Sequence, residues 1–165
     1  FRDGGVVFYV APSPTDLNGD GNPDTGLVCA IEDQSSEIQW YNGNYTTTGG
    51  DGISVGTGAD NTAKIIASQG ATQTDYAAGL AKAYTGGGFT DWFLPSKDEL
   101  LKMYYNKSNI EATAISSGGN IFSNTTYWSS TETNTYKARF LNINNGSDEN
   151  PYKSGKNGVR AVRAF

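Results

Sequence analysis

Short runs of β-branched and aromatic residues at both ends of the chain predict β-strands. Residues 4–10 and 26–31 form two such runs. A polar loop separates them, so we expect a hairpin with an unusually long connection. Towards the C-terminus the same pattern predicts three more strands, at residues 126–132, 136–143 and 158–165. The apolar pattern therefore places strands at both ends of the sequence.

The middle of the chain shows helical spacing instead. Residues 59–69 and 74–84 carry apolar side chains at helical intervals, the first after a good N-cap and the second in an alanine-rich stretch. The clearest signal lies in residues 89–106. There Ser96 and Glu99 have the spacing of a capping box, and an apolar stripe follows them. These patterns predict two or three helices between the terminal strands.

Two long segments show no clear period and predict irregular surface structure. Residues 34–58 are polar and aromatic, and residues 107–126 are rich in Gly, Ser and Asn. A chain of 165 residues is long enough for one domain with a sizeable core. The predicted fold class is therefore α+β, as a single domain over residues 1–165 with small antiparallel sheets, two to three flanking helices and long loops.

Composition and charge narrow the classes of partner. The chain has 21 glycines and 10 tyrosines but only 18% charged residues, a composition often found in secreted and cell-surface modules. The net charge is −5 and the basic residues are scattered, so nucleic acid is not an expected partner. No apolar run approaches the roughly 20 residues of a membrane span, so we expect no direct membrane insertion of this domain. The sequence lacks a signal peptide and begins at Phe1, and we expect it to be part of a longer protein.

The sequence offers little catalytic chemistry. It has no histidine, and its single cysteine, Cys29, shares strand parity with Leu27 and Ile31, which predicts a buried thiol. Ser129 and Ser130 have neither a histidine nor a neighbouring lysine that would activate a hydroxyl. We therefore predict no catalytic residues and no enzymatic activity.

Large aromatic and basic residues in the strand-like runs have structural explanations. Trp92 and Trp128 suggest stacking on a sugar, but aromatic residues in such runs more often fill cores, and we predict that role for both. Arg160 and Arg163 are expected to form ion pairs with carboxylates such as Glu132 or Asp98.

The loop between the first two strands has the residue spacing of a calcium-binding loop. Oxygen-bearing side chains stand at alternate positions, and Gly21 occupies the sixth position, where a sharp turn is needed. The predicted metal ligands are Asp16, Asn18, Asp20, Asn22 and Asp24. Position twelve is Leu27 instead of a bidentate Glu, which weakens the pattern. A chain of Asx turns explains the same residues, so a structural calcium ion and a metal-free loop both stay open.

Two predicted loop regions combine Tyr and Asn side chains, which suit adaptable recognition surfaces. Tyr supplies a flat face with a polar tip, and Asn supplies both a donor and an acceptor. The predicted ligand-binding residues are Trp40, Tyr41, Tyr136, Asn142, Asn144, Asn145, Asp148, Asn150 and Tyr152. An ordinary solvated loop is the alternative explanation for the C-terminal region, whereas the stretch from Trp40 to Tyr45 is too aromatic for an idle loop unless it packs on the fold.

Five motifs occur in an order that resembles a known family. They are GGVVFYV with GLVCA, GTGADNTAKI, GGFTDWFLPSKDEL, YWSSTE and VRAVRAF. Together they resemble the DUF1566 family, also called the Lcl C-terminal domain family, essentially from Gly4 to Phe165. The resemblance implies a C-type-lectin-like fold, in which the N- and C-terminal strands pair, two helices flank the sheet and long loops present a ligand surface. It also implies an extracellular or bacterial cell-surface location, since members are mostly surface or secreted proteins.

The resemblance and the loops together lead to one main hypothesis about function. The sequence lacks the Glu-Pro-Asn and Gln-Pro-Asp triplets with which many lectins bind sugar through calcium. We therefore expect a non-enzymatic adhesion or ligand-binding module that recognises a glycan or a protein through its long loops. The alternative is a structural or oligomerising terminal domain of a surface fibre or lipoprotein, in which case the chain forms a homo-oligomer.

Overall fold

The computed structural model describes residues 1–70 and 75–165 and confirms a mixed α+β architecture. The strands are β1 (Gly5–Thr15), β2 (Asp24–Ala30), β3 (Ser35–Gln39), β4 (Thr126–Glu132), β5 (Ala138–Asn142), β6 (Asp148–Glu149), β7 (Lys156–Val159) and β8 (Val162–Ala164). The α-helices are α1 (Gly58–Gln69), α2 (Ala77–Ala83), α3 (Lys97–Tyr105) and α4 (Lys107–Ser116). The predicted second helix starts at residue 74, which lies outside the described residues.

The first sheet brings both ends of the chain together around a central strand. Its order is β1-β2-β8, with antiparallel pairing on both sides of β2. The predicted hairpin of the first two strands is confirmed. The predicted direct pairing of the N- and C-terminal strands is wrong, because β2 lies between them. The hairpin occupies one edge of β2, so the last strand adds to the edge that remains free.

The second sheet contains one parallel contact. Its five strands follow the order β3-β7-β4-β5-β6. β4 and β7 run parallel where Tyr127 pairs with Gly158, and the other pairings are antiparallel. The prediction of purely antiparallel sheets is corrected at this contact.

The C-terminal run predicted as a single strand forms two strands in different sheets. β7 ends at Val159 and β8 begins at Val162, with Arg160 and Ala161 between them. Both connecting residues are buried, and Arg160 turns inward to the Asp33 carboxylate. Because the residues between β7 and β8 are buried like the strands themselves, the apolar pattern does not indicate the change from one sheet to the other.

The N-cap predicted for the first helix, Asp60 or Asn61, is wrong, because both residues lie inside α1, which follows Thr57. At the start of α3 the Ser96 hydroxyl accepts the Glu99 amide N–H at 3.3 Å, and the Glu99 carboxylate accepts the Ser96 N–H at 2.8 Å, so the capping box is confirmed. The sequence pattern does not predict α4, because only Ile110 and Ala114 of this helix are buried and they form no long apolar stripe. It does not predict β3 either, since that strand is short and mostly polar.

Apolar side chains pack against both faces of the first sheet. Leu27 and Cys29 of β2 belong to one buried cluster, and Val28 and Ala30 belong to another. This alternation is the period of a strand that is covered on both faces. The predicted burial of Cys29 is confirmed, and burial raises the pKa of its thiol to about 12.

The tryptophans of the strand-like runs lie in the second cluster. Trp92 and Trp128 are fully buried, and their indole N–H groups donate to the carbonyls of Gly86 at 3.1 Å and Ile38 at 2.7 Å. Their predicted role as core residues is confirmed. Among the helices of residues 1–70 and 75–165, none has both the length and the apolarity to span a bilayer.

Candidate functional site

Three tyrosines from two separate loops meet at the surface. Tyr41 and Tyr45 follow β3, and Tyr136 lies between β4 and β5. The ring centroids of Tyr41 and Tyr45 are 4.6 Å apart, and those of Tyr45 and Tyr136 are 5.4 Å apart in an edge-to-face arrangement. Tyr41 is buried below the other two, whereas Tyr45 is 38% and Tyr136 56% exposed. We call Tyr41, Tyr45 and Tyr136 the tyrosine platform.

A buried ion pair lies beneath the platform and holds its first loop. The Lys153 ammonium contacts the Glu132 carboxylate, and both side chains are almost completely shielded from solvent. Lys153 also donates to the Thr46 carbonyl at 2.8 Å. Glu132 accepts the backbone N–H groups of Thr48 at 2.9 Å and Gly49 at 3.1 Å. Two buried charges therefore fix the backbone just after Tyr45.

Lys153 and Glu132 are shielded from water, and this burial disfavours their charged forms. Burial lowers the pKa of Lys153, and the hydrogen bond and charge of Glu132 oppose that shift. The Lys153 ammonium also lies 4.6 Å from the centroid of the Trp40 ring, which supplies a cation–π contact. Taking two charges out of water costs several kcal/mol per ion, so the pair depends on these additional contacts.

The end of α1 fixes the other side of the same loop. The Gln69 side-chain carbonyl accepts the Asn42 N–H at 2.8 Å, and its amide donates to the Thr46 hydroxyl at 2.6 Å. The Asn42 side chain in turn donates to the Gln69 backbone carbonyl at 2.6 Å. We call residues 42–49 the platform loop, which is held to the fold at several of its positions.

The surface around the platform is polar and uncharged. Residues 41–48 and 133–136 contain Tyr, Asn, Gly and Thr, and no charged side chain. The Thr47 and Thr135 hydroxyls are 2.7 Å apart and join the two loops. Asn44 is exposed, and its side-chain amide has no hydrogen-bond partner among the residues that the structure describes. Hydroxyl and amide groups are therefore available beside the exposed rings.

The structure places two predicted ligand-binding residues, Trp40 and Tyr41, in the second buried cluster, and Trp40 is the more deeply buried of the two. Trp40 is fully buried, and its indole N–H donates to the Ser129 carbonyl at 2.8 Å. Its prediction as a surface residue is wrong, because the ring packs between Lys153 and the second apolar cluster. Tyr45, at the end of the same candidate stretch, reaches the surface instead.

Four other predicted ligand-binding residues form the turn between β5 and β6. Asn142 accepts the Asn144 N–H at 2.9 Å, and Asn145 accepts the Ser147 N–H at 2.9 Å. Asp148 accepts a hydrogen bond from Arg139 at 2.5 Å. Tyr136 precedes β5 whereas this turn follows it, so the two regions lie at opposite ends of the strand. Asn142, Asn144, Asn145 and Asp148 are therefore separate from the platform.

The last two predicted residues border the platform without joining it. Asn150 accepts the Thr133 hydroxyl at 2.7 Å. Tyr152 is 59% exposed and pairs with Lys137, whose ammonium lies 5.1 Å from its ring centroid. Among the described residues, no ring contact joins Tyr152 to the platform tyrosines. Tyr152 therefore belongs to a neighbouring surface.

The acidic loop at residues 16–24 is held by its own hydrogen bonds. The Asp16 carboxylate accepts the N–H groups of Gly19 at 2.6 Å and Gly21 at 2.9 Å. Asn18 accepts the Asp20 N–H at 2.9 Å, and Asp20 accepts the Asn22 N–H at 2.7 Å. These are the Asx turns of the metal-free alternative. The backbone N–H of Gly21, then that of Gly19, lowers the pKa of Asp16.

The remaining carboxylate of this loop faces the fold. Asp24 accepts the Leu17 N–H at 2.8 Å, and burial raises the pKa of its carboxyl. In the described part of the chain, no three Asp, Glu, His or Cys side chains converge in a way that would hold a metal ion. Four of the predicted metal ligands, Asp16, Asn18, Asp20 and Asp24, therefore accept backbone N–H groups in this structure, and the fifth, Asn22, donates its N–H to Asp20.

A cleft of about 290 Å³ lies between the acidic loop and α1, and its floor includes Ile66 and Phe93. The polar groups on its rim already have partners: Lys82 donates to the Thr90 carbonyl at 3.2 Å, and Asp91 accepts from Arg163 at 2.5 Å. The platform, in contrast, has exposed rings and a free amide, and we take it as the candidate site.

Sequence patterns did not reveal the ionic contacts that organise the fold. Arg160 pairs with Asp33 at 2.6 Å, and Arg163 pairs with Asp91, so ion pairs are confirmed while the predicted partners Glu132 and Asp98 are wrong. Asp33 also accepts the Tyr127 hydroxyl at 2.6 Å. Burial, then the Asp33 charge, raises the pKa of Tyr127. Asp33 and Arg160 are 127 residues apart, and no local spacing indicates such a pair.

Comparisons with known proteins identify the family. Residues 29–163 match the family model described as the Lcl C-terminal domain. The match begins after the acidic loop, so β1 and that loop lie outside it. A search of curated proteins gave no match.

A solved structure shares the fold. A fimbrial protein from Bacteroides ovatus superimposes with a TM-score of 0.66 and 15% sequence identity, over 98% of this chain and 44% of its own length. The present chain thus spans less than half of that protein, and at this identity the likeness concerns the fold alone. The family match covers most of the sequence, and the chain therefore belongs to the Lcl C-terminal domain family.

Proposed function

We propose that this domain is a non-enzymatic ligand-binding module of a surface or secreted protein, and that it recognises a glycan or a protein through the tyrosine platform. One observation carries the proposal: the buried Glu132–Lys153 pair fixes the backbone beside Tyr45, whose exposed ring lies against the exposed ring of Tyr136. Burying two charges is costly, and a solvated loop without a function does not require it. A loop fixed before binding loses less conformational entropy when a ligand arrives.

The family and the fold support the location. The chain belongs to the Lcl C-terminal domain family, and a fimbrial protein has a similar fold. We infer that the domain lies outside the cell or at the bacterial surface. We also infer a C-type-lectin-like arrangement, which is supported by the terminal strands that share one sheet and by the long loops between the elements.

The residues present favour binding over catalysis. The sequence has no histidine, and the Cys29 thiol is buried with a pKa of about 12. Ser129 and Ser130 are fully buried, and Ser129 donates its hydroxyl to the Arg139 carbonyl at 3.0 Å. A nucleophile needs both access and an activating base.

An array that displays glycans together with bacterial and host surface proteins tests the proposal. The wild-type domain is compared with the variant Tyr45→Ala/Tyr136→Ala, with and without calcium. Tyr105→Ala is the matched control, because Tyr105 is 67% exposed on α3, outside the platform. We expect binding that the double variant loses and the control keeps. The proposal fails if no member of either class binds, or if the double variant binds as well as the wild type.

A structural role at the end of a surface fibre is the second candidate, and the fimbrial fold likeness favours it. In that case the domain forms a homo-oligomer through contacts between copies. Light scattering on the purified chain distinguishes the two candidates: a stable oligomer without ligand supports the structural role, whereas a monomer at high concentration contradicts it.

We propose calcium only as a structural ligand of the acidic loop, on the strength of the alternating positions of Asp16, Asn18 and Asp20. The loop lies outside the matched family region, so a calcium ion bound there would be a feature of this chain and would not be implied by the family match. A bound cation would remove the mutual repulsion of the crowded carboxylates.

A further inference from the structure

We infer that the ligand of the tyrosine platform is an uncharged glycan, an inference that rests on the proposed function and narrows it to one class. An acidic glycan, a protein surface and a neutral sugar each require different groups from a binding surface. The absence of charged side chains on the platform excludes an acidic glycan, and the lack of aliphatic side chains disfavours a protein surface. The exposed rings and polar groups suit a neutral sugar.

The platform offers no charge to an ionic ligand. Residues 41–48 and 133–136 contain no Lys, Arg, Asp or Glu. Below them the Lys153 and Glu132 charges neutralise each other, with side-chain exposures of 0% and 3%. The nearest cation in sequence, Lys137, lies over the Tyr152 ring on the neighbouring surface. A sulfated or carboxylated glycan would lose water here without gaining a cation, and the net charge of −5 repels it further.

The platform also lacks the apolar side chains of a protein interface. The central part of such an interface is enriched in apolar side chains, and Tyr, Trp and Arg supply most of the binding energy. Residues 41–48 and 133–136 include no Leu, Ile, Val, Met, Phe, Trp or Arg. The platform therefore offers tyrosine anchors without the apolar side chains that accompany them in a protein interface, which favours a sugar over a protein partner.

A neutral sugar matches both kinds of group that the platform presents. The C–H faces of a sugar ring are apolar and pack against aromatic rings, and Tyr136 and Tyr45 keep 56% and 38% of their surface open. Sugar hydroxyls both donate and accept, as do the free Asn44 amide and the Thr47 and Thr135 hydroxyls. All of these partners are neutral, so no buried charge is left unpaired when the sugar binds.

Because the platform loop is already anchored, a small ligand that makes few contacts can bind to it. Gln69, Lys153 and Glu132 fix the backbone on both sides of Tyr45 before any ligand is present. Because the protein side is already ordered, even a short oligosaccharide does not have to supply the free energy of ordering the loop.

Binding of matched charged and uncharged probes tests the inference. The full chain is titrated with uncharged oligosaccharides of glucose, mannose, galactose and N-acetylglucosamine, and with dextran and dextran sulfate as a pair that differs only in charge. Each titration is run at about 50 mM and about 500 mM NaCl, since salt screens ionic contacts and leaves neutral ones. The variants are Tyr136→Ala, Tyr136→Phe and the exposed control Tyr105→Ala.

We expect an uncharged probe to bind with the same affinity at both salt concentrations. Tyr136→Ala should weaken this binding by about tenfold or more, a readily measured change in Kd. Tyr105→Ala should stay close to the wild type, and Tyr136→Phe, which keeps the ring but loses the hydroxyl, should recover most of the affinity that Tyr136→Ala loses. Circular dichroism of each variant checks that the fold is intact.

Several results would overturn the inference. The inference fails if only sulfated probes bind, or if no uncharged probe binds. It also fails if salt abolishes the binding of an uncharged probe, or if Tyr136→Ala leaves that binding unchanged. A protein ligand that is lost in Tyr136→Ala, with no sugar bound, would overturn the uncharged glycan while the proposed function stands. A wrong ligand class can thus be distinguished from a platform that binds no ligand.

Discussion

The acidic loop and the platform loop are both polar and exposed, yet they are held in opposite ways. In the acidic loop, the Asp16 carboxylate bonds to N–H groups two, three and five residues away. In the platform loop, Glu132 holds Thr48 across 84 residues, and Lys153 holds Thr46 across 107. The first loop shapes itself, whereas the second is shaped by the rest of the fold.

This difference separates a loop that only connects strands from one that presents a surface. The acidic loop joins β1 to β2 and uses its carboxylates on its own backbone. The platform loop exposes the Tyr45 ring and the Asn44 side chain, because residues elsewhere satisfy its backbone groups. Under the proposed function this ring is preorganised for a ligand, and the contrast can be tested by removing the anchors of each loop.

The largest effect is expected from Lys153→Met. The substitution keeps the length of the side chain but leaves the Glu132 carboxylate buried without its cation, which costs about 3–5 kcal/mol of unfolding free energy. Urea denaturation measures it, and ligand binding at the platform should be lost as well. Lys64→Met is the control, because the Lys64–Asp60 pair is largely exposed and should contribute little. Equal stability of the two variants would contradict the role given to the buried pair.

The next largest effect is a pH dependence of stability that arises from Glu99. This buried carboxyl accepts backbone N–H groups from the loop before α1. Glu99 accepts the Gly56 N–H at 2.8 Å, and burial raises its pKa from 4.5 to about 7. Between these values the folded state holds a proton that the unfolded state has released. Stability should therefore fall as the pH rises from 4.5 to about 7 and change little above that, a loss of about 3 kcal/mol.

Urea denaturation across this pH window measures the Glu99 contribution. Glu99→Gln removes the titrating group, so the variant should lack this slope even if its overall stability is lower. Asp16 has the opposite sign, because its pKa is lowered and its contribution is lost only as the pH falls below 3.8. A slope that persists in Glu99→Gln would assign the titration to another group.

A moderate effect is expected from Gln69→Ala. It removes the acceptor of the Asn42 N–H and the donor to the Thr46 hydroxyl, at a cost of about 1–3 kcal/mol. Amide hydrogen exchange should show faster opening of the platform loop with the rest of the fold unchanged. Ser68→Ala removes an exposed contact to the same Thr46 hydroxyl and serves as the control. Unchanged exchange in Gln69→Ala would show that the loop is held without this anchor.

The smallest effect concerns calcium and the acidic loop. Under the calcium proposal, millimolar calcium should raise the thermal midpoint slightly, and Asp16→Asn should abolish that rise by removing a charged ligand. Magnesium is the control ion. Neither calcium nor Asp16→Asn should alter binding at the platform. A midpoint that is the same in calcium and in a chelator would leave the Asx turns as the full description of this loop.

Local signals in the sequence predicted the elements that depend on nearby residues. The Ser96–Glu99 capping box and the hairpin of β1 and β2 both arise within short stretches, and both are confirmed. The patterns failed where neighbours in space set the outcome. β3 and α4 have too few apolar residues to stand out, and the C-terminal run changes sheets at Arg160.

The candidate site shows the same division. Tyr41 and Tyr136 were predicted as binding residues in two separate segments, but nothing local indicates that Tyr45 lies between their rings. Trp40 has the same aromatic signal as its neighbours, yet its ring lies in the core. Exposure depends on which face of a loop the fold covers, and composition alone does not specify it.

The sequence by itself determined the α+β class, the shape of the acidic loop and the absence of charge around the tyrosines, since each follows from residue identity and short-range spacing. Only the tertiary structure decided which rings meet, which carboxylate holds Lys153 and which strand separates the two chain ends. Those contacts join residues that are far apart along the chain. Their formation depends on the packing of the whole core, which no local pattern encodes.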